Sequence, residues 1–323
     1  MKIICTTVVR AAEQGGIHGG LYVVDIDTEE VVHHEAYEKD FINDNERGGE
    51  RGLRGIVVLD DRIIVADSAG FIQLDKNDYS IVKTAQNPEA FKSIHEICYH
   101  NGFIWATSTA YDAIVRVDLN LKVNGFWEIK GENRPDHKAF VGKEKIAPED
   151  HSNDDNYHIN SICSYNGNLL FSGLITGLYD FEDVAPVIPM PYLSGNILQE
   201  LGIASPVMKV SKAASFIHNF YEYDDMFVAN FTSFSCLGIA MKQMGGVVFD
   251  VAPIPKAKKT KFCVDDIARN NWNRGLARHD NLLFVGSSPA RILVYDLNKA
   301  EFIKEIQLED DIRHAIHGLE VLG

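Results

Sequence analysis

Six polar residues recur at the same point of six copies of a short sequence pattern, and their types suit them to chemistry. Each of the first five stands six positions before a two-residue turn, and the six residues are Arg54, His95, Asn160, His218, Arg274 and His317. A neutral imidazole is a strong ligand for transition metals, and three imidazoles leave coordination positions open for water or substrate. We therefore predict that His95, His218 and His317 bind one divalent metal: iron, zinc, manganese or copper.

The other three residues of this set are predicted to act on the substrate. The guanidinium groups of Arg54 and Arg274 cannot bind a metal, but their fork of N–H donors suits a carboxylate or a phosphate. Asn160 could hold a metal-bound water. The expected partner is accordingly a small anionic molecule, with these three residues in catalytic roles.

Further polar residues are expected to reach the same rim and contact substrate. His18 lies in a glycine-rich stretch, 15–20, that predicts a flexible loop. His158 lies two residues before Asn160 and could replace it. The remaining candidates come from turns that link successive hairpins: Asp67, Tyr111, Asn230 and Arg291.

The elements that position these residues are β-hairpins. In 54–68 two apolar runs flank the turn Asp60-Asp61, which is the sequence form of a tight hairpin. A second hairpin follows, as in 71–84 and 291–308. Two hairpins form a four-stranded antiparallel sheet, the unit of a β-propeller blade.

The two ends of the chain supply the sixth copy. Residues 317–323 fit the first half of the pattern and residues 1–7 fit the second half. The prediction is an all-β, six-bladed β-propeller with four-stranded blades, a single domain over 1–323. Its ring closes by pairing of the N- and C-terminal strands in one blade, which leaves no free blade edge. Equivalent positions in such a ring lie at equal height, so the three histidines of alternate blades could converge.

Composition narrows the possible partners and compartments. The formal net charge of −15 opposes binding to nucleic acid or to anionic membranes. No apolar run reaches the length of about 18 residues that a membrane-spanning helix needs. The first residues do not resemble an export signal, and the five scattered cysteines are interpreted as buried apolar residues. We therefore expect a cytoplasmic protein.

The hairpin rhythm resembles that of six-bladed propellers in general: the NHL-repeat proteins, the gluconolactonase and paraoxonase group, and the strictosidine synthase-like group. Gluconolactonase-like proteins bind a divalent metal on the propeller axis through carboxylate and asparagine side chains. This sequence has histidine and arginine in their place, so the resemblance implies the fold and not the lactonase activity.

Three functions remain open from the residues alone. The first is a metal-dependent enzyme that performs oxygenation, elimination or hydrolysis on the small anion. In the second, one histidine acts as a general base without a metal while the arginines bind the anion. The third is a metal-free propeller that binds a ligand or another protein through a polar channel.

Overall fold

The structure is a computed structural model of the chain. It describes residues 1–38, 52–130, 140–141, 155, 157–165, 167–173, 178–181, 186–188, 217–223, 226–232, 236–241, 249–257, 268, 270–299 and 301–323. No helix in this part of the chain is long and apolar enough to cross a membrane.

The described residues form 25 strands and one short 3-10 helix, Thr109–Tyr111. The first twelve strands are β1 (Lys2–Val9), β2 (Ile17–Asp25), β3 (Val31–Glu38), β4 (Ile56–Val58), β5 (Arg62–Ala66), β6 (Gly70–Asp75), β7 (Ile81–Gln86), β8 (Ile94–His100), β9 (Phe103–Ser108), β10 (Ala113–Val117), β11 (Val123–Lys130) and β12 (Phe140–Val141). The others are β13 (Ile159–Tyr165), β14 (Asn168–Gly173), β15 (Leu178–Asp180), β16 (Pro186–Ile188), β17 (Ile217–Tyr223), β18 (Met226–Phe231), β19 (Cys236–Met241), β20 (Phe249–Pro253), β21 (Leu276–His279), β22 (Leu282–Ser287), β23 (Arg291–Asp296), β24 (Glu301–Gln307) and β25 (His314–Leu322).

The strands form six antiparallel sheets, three in each of two compact units. The terminal unit, Met1–Pro88 with Pro255–Gly323, holds the sheets β25-β1-β2-β3, β4-β5-β6-β7 and β21-β22-β23-β24. The central unit, Glu89–Ile254, holds β8 to β12, β13 to β16 and β17 to β20. The predicted four-stranded sheets are confirmed, and the sheet that begins with β8 carries β12 as a short fifth strand.

The pairing of the two chain ends is also confirmed. Strand β1 pairs with β25 from Lys2 opposite Leu322 to Val9 opposite His314, with an irregularity in register between Cys5 and Thr7. Thr6 lies at this irregularity and is buried. Its hydroxyl donates to the backbone oxygen of Arg54 and accepts from the backbone N–H of Gly318 at 2.9 Å.

Apolar side chains from neighbouring sheets pack together to form the core. One cluster in the terminal unit joins Ile3 and Cys5 of the closing sheet to Phe284 and Ile292 of the sheet β21–β24. A second joins Ile4 to Ile56 and Val65 of the sheet β4–β7. Cys5 is thus a buried apolar residue, as predicted, and burial raises the pKa of its thiol, whereas Cys98 and Cys163 are only partly buried.

The outermost strands of the terminal unit are largely exposed. Each carries two neighbouring large apolar side chains that face solvent: Val31 and Val32 in β3, Ile81 and Val82 in β7, and Phe302 and Ile303 in β24. Ile81 is the most exposed of them, at 60%. Within the described residues, these edge strands pair on one side only, with β2, β6 and β23.

Replacing Thr6 by valine tests the contact at the closing sheet. Valine keeps the shape of the side chain but removes the hydroxyl that meets Gly318 and Arg54. A buried N–H that loses its acceptor costs about 1–3 kcal/mol. We expect Thr6→Val to lower the free energy of unfolding in urea by that amount, and the exposed turn variant Thr28→Val to change it by less than about 0.5 kcal/mol. Equal effects of the two substitutions would contradict this role of Thr6.

Glu320 is a half-buried carboxyl group at the edge of an apolar interface. It lies opposite Ile4 in the pairing of β25 with β1, and opposed residues of a strand pair project from the same face. Ile4 belongs to the apolar cluster that also contains Leu322 and Ile56. Burial there raises the pKa of Glu320 from 4.5 to about 8.

The raised pKa predicts that stability falls as pH rises. Between pH 4.5 and 8 the folded protein keeps a proton on Glu320 that the unfolded chain has released, so folding is progressively opposed in this window. Glu320→Gln should therefore raise the melting temperature above pH 8 and have little effect near pH 4.5. The exposed variant Glu301→Gln should show no such pH dependence, and an equal shift for Glu320→Gln at both pH values would refute the assignment.

Candidate functional site

Three of the predicted residues lie together in the central unit. His95, Asn160 and His218 are each the second residue of an inner strand, β8, β13 and β17, and all three are buried. The ring centroids of His95 and His218 are 5.9 Å apart with an angle of 30° between the planes. The side-chain nitrogen of Asn160 lies 3.5 Å from Nε2 of His218. The equivalent positions in the repeat therefore do bring these side chains together.

His158 also lies with this group. The sequence analysis gave it as a possible replacement for Asn160 in the same blade. Its ring meets the ring of His95 edge-on, with centroids 5.0 Å apart. His158 has a left-handed backbone, φ 50°, and its N–H donates to the carboxylate of Asp112 at 2.8 Å. Asp112 also accepts from the N–H of Tyr157 at 3.0 Å. One carboxylate thus holds two successive N–H groups, and with them the turn that presents the imidazole.

The imidazole of His158 is oriented by a second carboxylate. Its Nδ1 lies 2.9 Å and 3.0 Å from the two carboxylate oxygens of Asp155. Both side chains are partly exposed. Because a carboxylate is an acceptor, the contact favours the tautomer that has its proton on Nδ1, in which Nε2 is the acceptor nitrogen. The sequence analysis did not identify Asp155, since an aspartate in an acidic loop is by itself no signal of a functional role.

A hydrogen-bond network lies beside the histidines. Glu96 accepts from the side chain of Asn219, and Asn219 accepts from the predicted residue Asn230 at 3.3 Å. The backbone N–H groups of His95 and Glu96 both donate to the hydroxyl of Thr107, at 3.2 and 3.1 Å. Asn230 is therefore buried within this network, and Asn219 is a member that the sequence analysis did not predict.

The metal remains a prediction. Within the described residues, no three side chains of His, Cys, Asp or Glu are grouped so as to hold a metal ion. His95 and His218 belong to the central unit, whereas His317 belongs to the terminal unit.

The terminal unit contains the other three residues of the repeat. All three are buried: Arg274 and Arg54 lie two residues before the inner strands β21 and β4, and His317 lies within β25. A methyl group added at Gly318 would collide with the backbone oxygen of Arg54, and one at Gly275 would lie 3.2 Å from that of His317. The absence of side chains at these glycines therefore allows the backbones of the three segments to pack side by side.

Two residues that the sequence analysis missed lie next to Arg274. The guanidinium carbon of Arg10 is 3.1 Å from the centroid of the Trp272 ring, and that of Arg274 is 5.3 Å from the same centroid. Arg10 follows β1 at a turn equivalent to those that carry Asp67 and Tyr111, so its position in the repeat is a signal that the sequence offers. Trp272 lies two residues before Arg274, where His158 lies relative to Asn160.

The structure corrects the expectation for His18. The glycine-rich stretch is not a flexible loop there, since His18 is a fully buried residue of β2. A side chain at Gly19 would collide with the backbone oxygen of Thr7 and approach the Cα of Gly52 to 2.9 Å. Glycine is required at this point for close backbone packing and not for mobility.

Asp67 and Arg291 have protein partners within the sheets. Asp67 accepts from the Tyr37 hydroxyl at 2.9 Å and from the Gln86 side chain at 2.8 Å. Arg291 is fully buried and forms an ion pair with Glu305 at 2.6 Å. Burial lowers the pKa of Arg291, and the Glu305 carboxylate opposes that shift.

The guanidinium of Arg291 also donates to the backbone oxygen of Pro255 at 2.5 Å and to the side-chain oxygen of Asn271 at 2.8 Å. It thereby ties the segment before β21 to the sheet. Tyr111, the last of the predicted residues, ends the short 3-10 helix and is half-buried.

The role of Asp112 can be tested with a matched control. Asp118 also accepts from two backbone N–H groups, those of Asn120 and Lys122, each at 2.9 Å, but on an exposed turn. Water can replace the lost acceptor at Asp118, whereas the N–H of Tyr157 is buried. Asp112→Ala should lower the free energy of unfolding by about 2–4 kcal/mol and Asp118→Ala by less than about 1 kcal/mol. Comparable losses in urea titrations would argue against Asp112 as the anchor of the His158 turn.

Comparisons with known proteins show the fold. No protein-family model and no curated protein matches the sequence. A chain in the crystal structure of a nidogen/laminin complex matches with a TM-score of 0.55 at 8% identity, covering 99% of this chain and 98% of that chain. A protein of unknown function from Bacteroides caccae matches with a TM-score of 0.52 at 11% identity, with 98% of each chain covered. The likeness, together with the four-stranded antiparallel sheets, shows that the chain is an all-β propeller.

Proposed function

We propose that the protein is a hydrolase in which His158 acts as a general base on water and Asp155 orients it. The observation that carries the proposal is the pair of contacts from Nδ1 of His158 to the two oxygens of Asp155, at 2.9 and 3.0 Å. With the proton held on Nδ1, Nε2 is free to accept a proton from a bound water. The substrate class is a small polar ester.

The surroundings of His158 support water binding. The amide oxygen of Asn160 is buried, and no described residue donates a hydrogen bond to it. A buried carbonyl oxygen is costly to leave without a donor, so this oxygen is a natural position for a water molecule. His95 meets the His158 ring edge-on and limits its rotation. Asn160 and His95 thus act as positioning residues for the water and for the base.

The proposed step transfers one proton and exchanges one bond. Nε2 of His158 takes a proton from water while the water oxygen bonds to the carbonyl carbon of the ester. The bond from that carbon to the alcohol oxygen then breaks, and the imidazolium returns its proton to the departing alkoxide. Acid and alcohol are the products, and His158 ends in its starting state.

The resemblance of the blade pattern to the gluconolactonase and paraoxonase group concerns the fold alone. The proposed residues differ from the carboxylate and asparagine metal ligands of gluconolactonase-like proteins, since the base here is an imidazole. The alternative of a metal bound by His95, His218 and His317 stays a prediction, and a separate elemental analysis tests it.

Hydrolysis of p-nitrophenyl acetate by the purified full chain tests the proposal. His158→Gln should lower the rate by about 10²- to 10⁴-fold, the usual contribution of general-base catalysis. Asp155→Asn should lower it by a smaller factor, because the amide no longer fixes the proton on Nδ1. The control is His279→Gln, since His279 also faces an aspartate, Asp280 at 3.7 Å, but on an exposed hairpin turn. Equal rates for wild type and His158→Gln would overturn the proposal.

Elemental analysis of protein purified without chelator separates the metal alternative. If His158 acts as the base without a metal, the purified protein should be fully active although it contains no stoichiometric metal. The metal-dependent mechanism would be supported if wild type contained one iron, zinc, manganese or copper ion per chain. In that case His218→Ala should lose both the metal and the activity.

A further inference from the structure

The outer edge of strand β3 is open to solvent. Within the described residues, β3 pairs with β2 on one side and with no strand on the other. Six of its eight side chains are exposed, among them Val31 at 45% and Val32 at 46%. An outermost strand has unpaired backbone N–H and C=O groups along its free edge, and another strand can pair with them.

Contacts on both faces of β3 hold this edge in place. The ring of His34 stacks on that of Tyr22 in β2, with centroids 4.2 Å apart. The hydroxyl of Tyr37 donates to Asp67, in the turn between β5 and β6 of the neighbouring sheet, at 2.9 Å. His34 and Tyr37 are an odd number of residues apart, so they project from opposite faces of the strand. The backbone that a partner strand would meet is therefore already fixed in an extended conformation, which reduces the entropic cost of binding.

The side chains along this edge are negatively charged. Residues 29–38 contain no lysine, arginine or aspartate but have four exposed glutamates: Glu29, Glu30, Glu35 and Glu38. Glu29 pairs with Lys304 at 2.9 Å, and the other three form no ion pair within the part of the chain that the structure describes. Because an added strand places its side chains beside these carboxylates, lysine or arginine in that strand is favoured and aspartate or glutamate is disfavoured.

The residue that follows the exposed apolar pair distinguishes β3 from the other outer strands of the terminal unit. It is Lys83 in β7 and Lys304 in β24, whereas it is His33 in β3. A lysine at this place repels a basic strand, whereas a histidine carries no permanent charge. A basic and apolar strand is therefore accepted better by the edge of β3 than by the edges of β7 and β24.

We propose that the outer edge of β3 binds an extended segment of another protein, in which basic and apolar residues alternate, as an added strand of the sheet β25-β1-β2-β3. Backbone hydrogen bonds supply affinity for any extended segment, whereas the glutamates and the two exposed valines select a basic and apolar one. The surface lies in the terminal unit and does not involve His158, so the proposal is independent of the hydrolytic role proposed for the central unit.

Fluorescence anisotropy with a labelled eight-residue peptide of alternating lysine and valine tests the proposal on the full chain. The peptide should bind to wild type, and a glutamate–valine peptide of equal length should not. Glu35→Lys should weaken the binding by about tenfold, since it replaces an attraction beside the added strand by a repulsion. The matched control is Glu301→Lys, which makes the same charge change on the outer strand β24. It should alter the affinity by less than about twofold, because distant exposed charges are screened.

A second pair of variants tests the apolar contact. Val32→Lys should weaken the binding of the lysine–valine peptide by about tenfold, because it replaces an apolar contact by a like charge. Val82→Lys makes the same change on the outer strand β7 and should leave the affinity unchanged. Both valines are exposed, at 46% and 58%, so neither variant should lower the melting temperature.

Two further measurements distinguish strand addition from other modes of binding. Methyl groups on the backbone nitrogens along both edges of the lysine–valine peptide should abolish its binding to wild type, because they block strand pairing and leave the charge unchanged. Sedimentation should find the same oligomeric state for wild type and Val32→Lys. Equal binding of the methylated and unmethylated peptides, or equal affinities of wild type and Glu35→Lys, would overturn the proposal. A wild-type dimer that Val32→Lys dissociates would also overturn it, because a second copy of the chain would then occupy the edge. Since no activity is measured, these outcomes are separate from the test of His158.

Discussion

The pairing of β1 with β25 is the interaction on which the terminal unit depends. It joins residues more than 300 positions apart in sequence and completes a sheet that neither chain end could form alone. The hydroxyl of Thr6 then links the new sheet to the next one through Gly318 and Arg54. Because His317 lies in β25, this pairing also places an imidazole between the segments of the two arginines of the repeat.

The two units use equivalent positions of one repeat for different chemistry. In the central unit the inner strands begin with uncharged or titratable groups, and carboxylates orient the side chains nearby, as Asp155 orients His158. In the terminal unit the corresponding positions carry two arginines that no pH change in the physiological range can neutralise. The central unit therefore has imidazole and amide groups at these positions, whereas the terminal unit has two fixed positive charges with the imidazole of His317 between their segments. The propeller repeat supplies the positions, and the residue at each position supplies the chemistry.

The sheets could be predicted because a hairpin is a local pattern, and repetition reinforced it six times. The grouping of His95 with His218 followed from the same register. The partners of polar side chains could not be predicted in this way, since Arg291 could in principle reach either a ligand or Glu305. His18 was misjudged for a related reason: glycine signals either mobility or close packing, and only the neighbouring backbone distinguishes them.

The exposed apolar pairs on β3, β7 and β24 have a consequence for how the protein behaves at high concentration. An edge strand with two adjacent large apolar side chains is a template on which a strand of another molecule can add. Lys83 follows Ile81 and Val82 directly, and Lys304 follows Phe302 and Ile303. A strand of another molecule that paired with β7 or β24 would lie beside these lysines. If the other molecule were a second copy of this chain, its own lysines would also come close to them. Lysines next to exposed apolar pairs of this kind oppose edge-to-edge pairing, and the ammonium of Lys304 also binds the backbone oxygen of Ile26 and the carboxylate of Glu29.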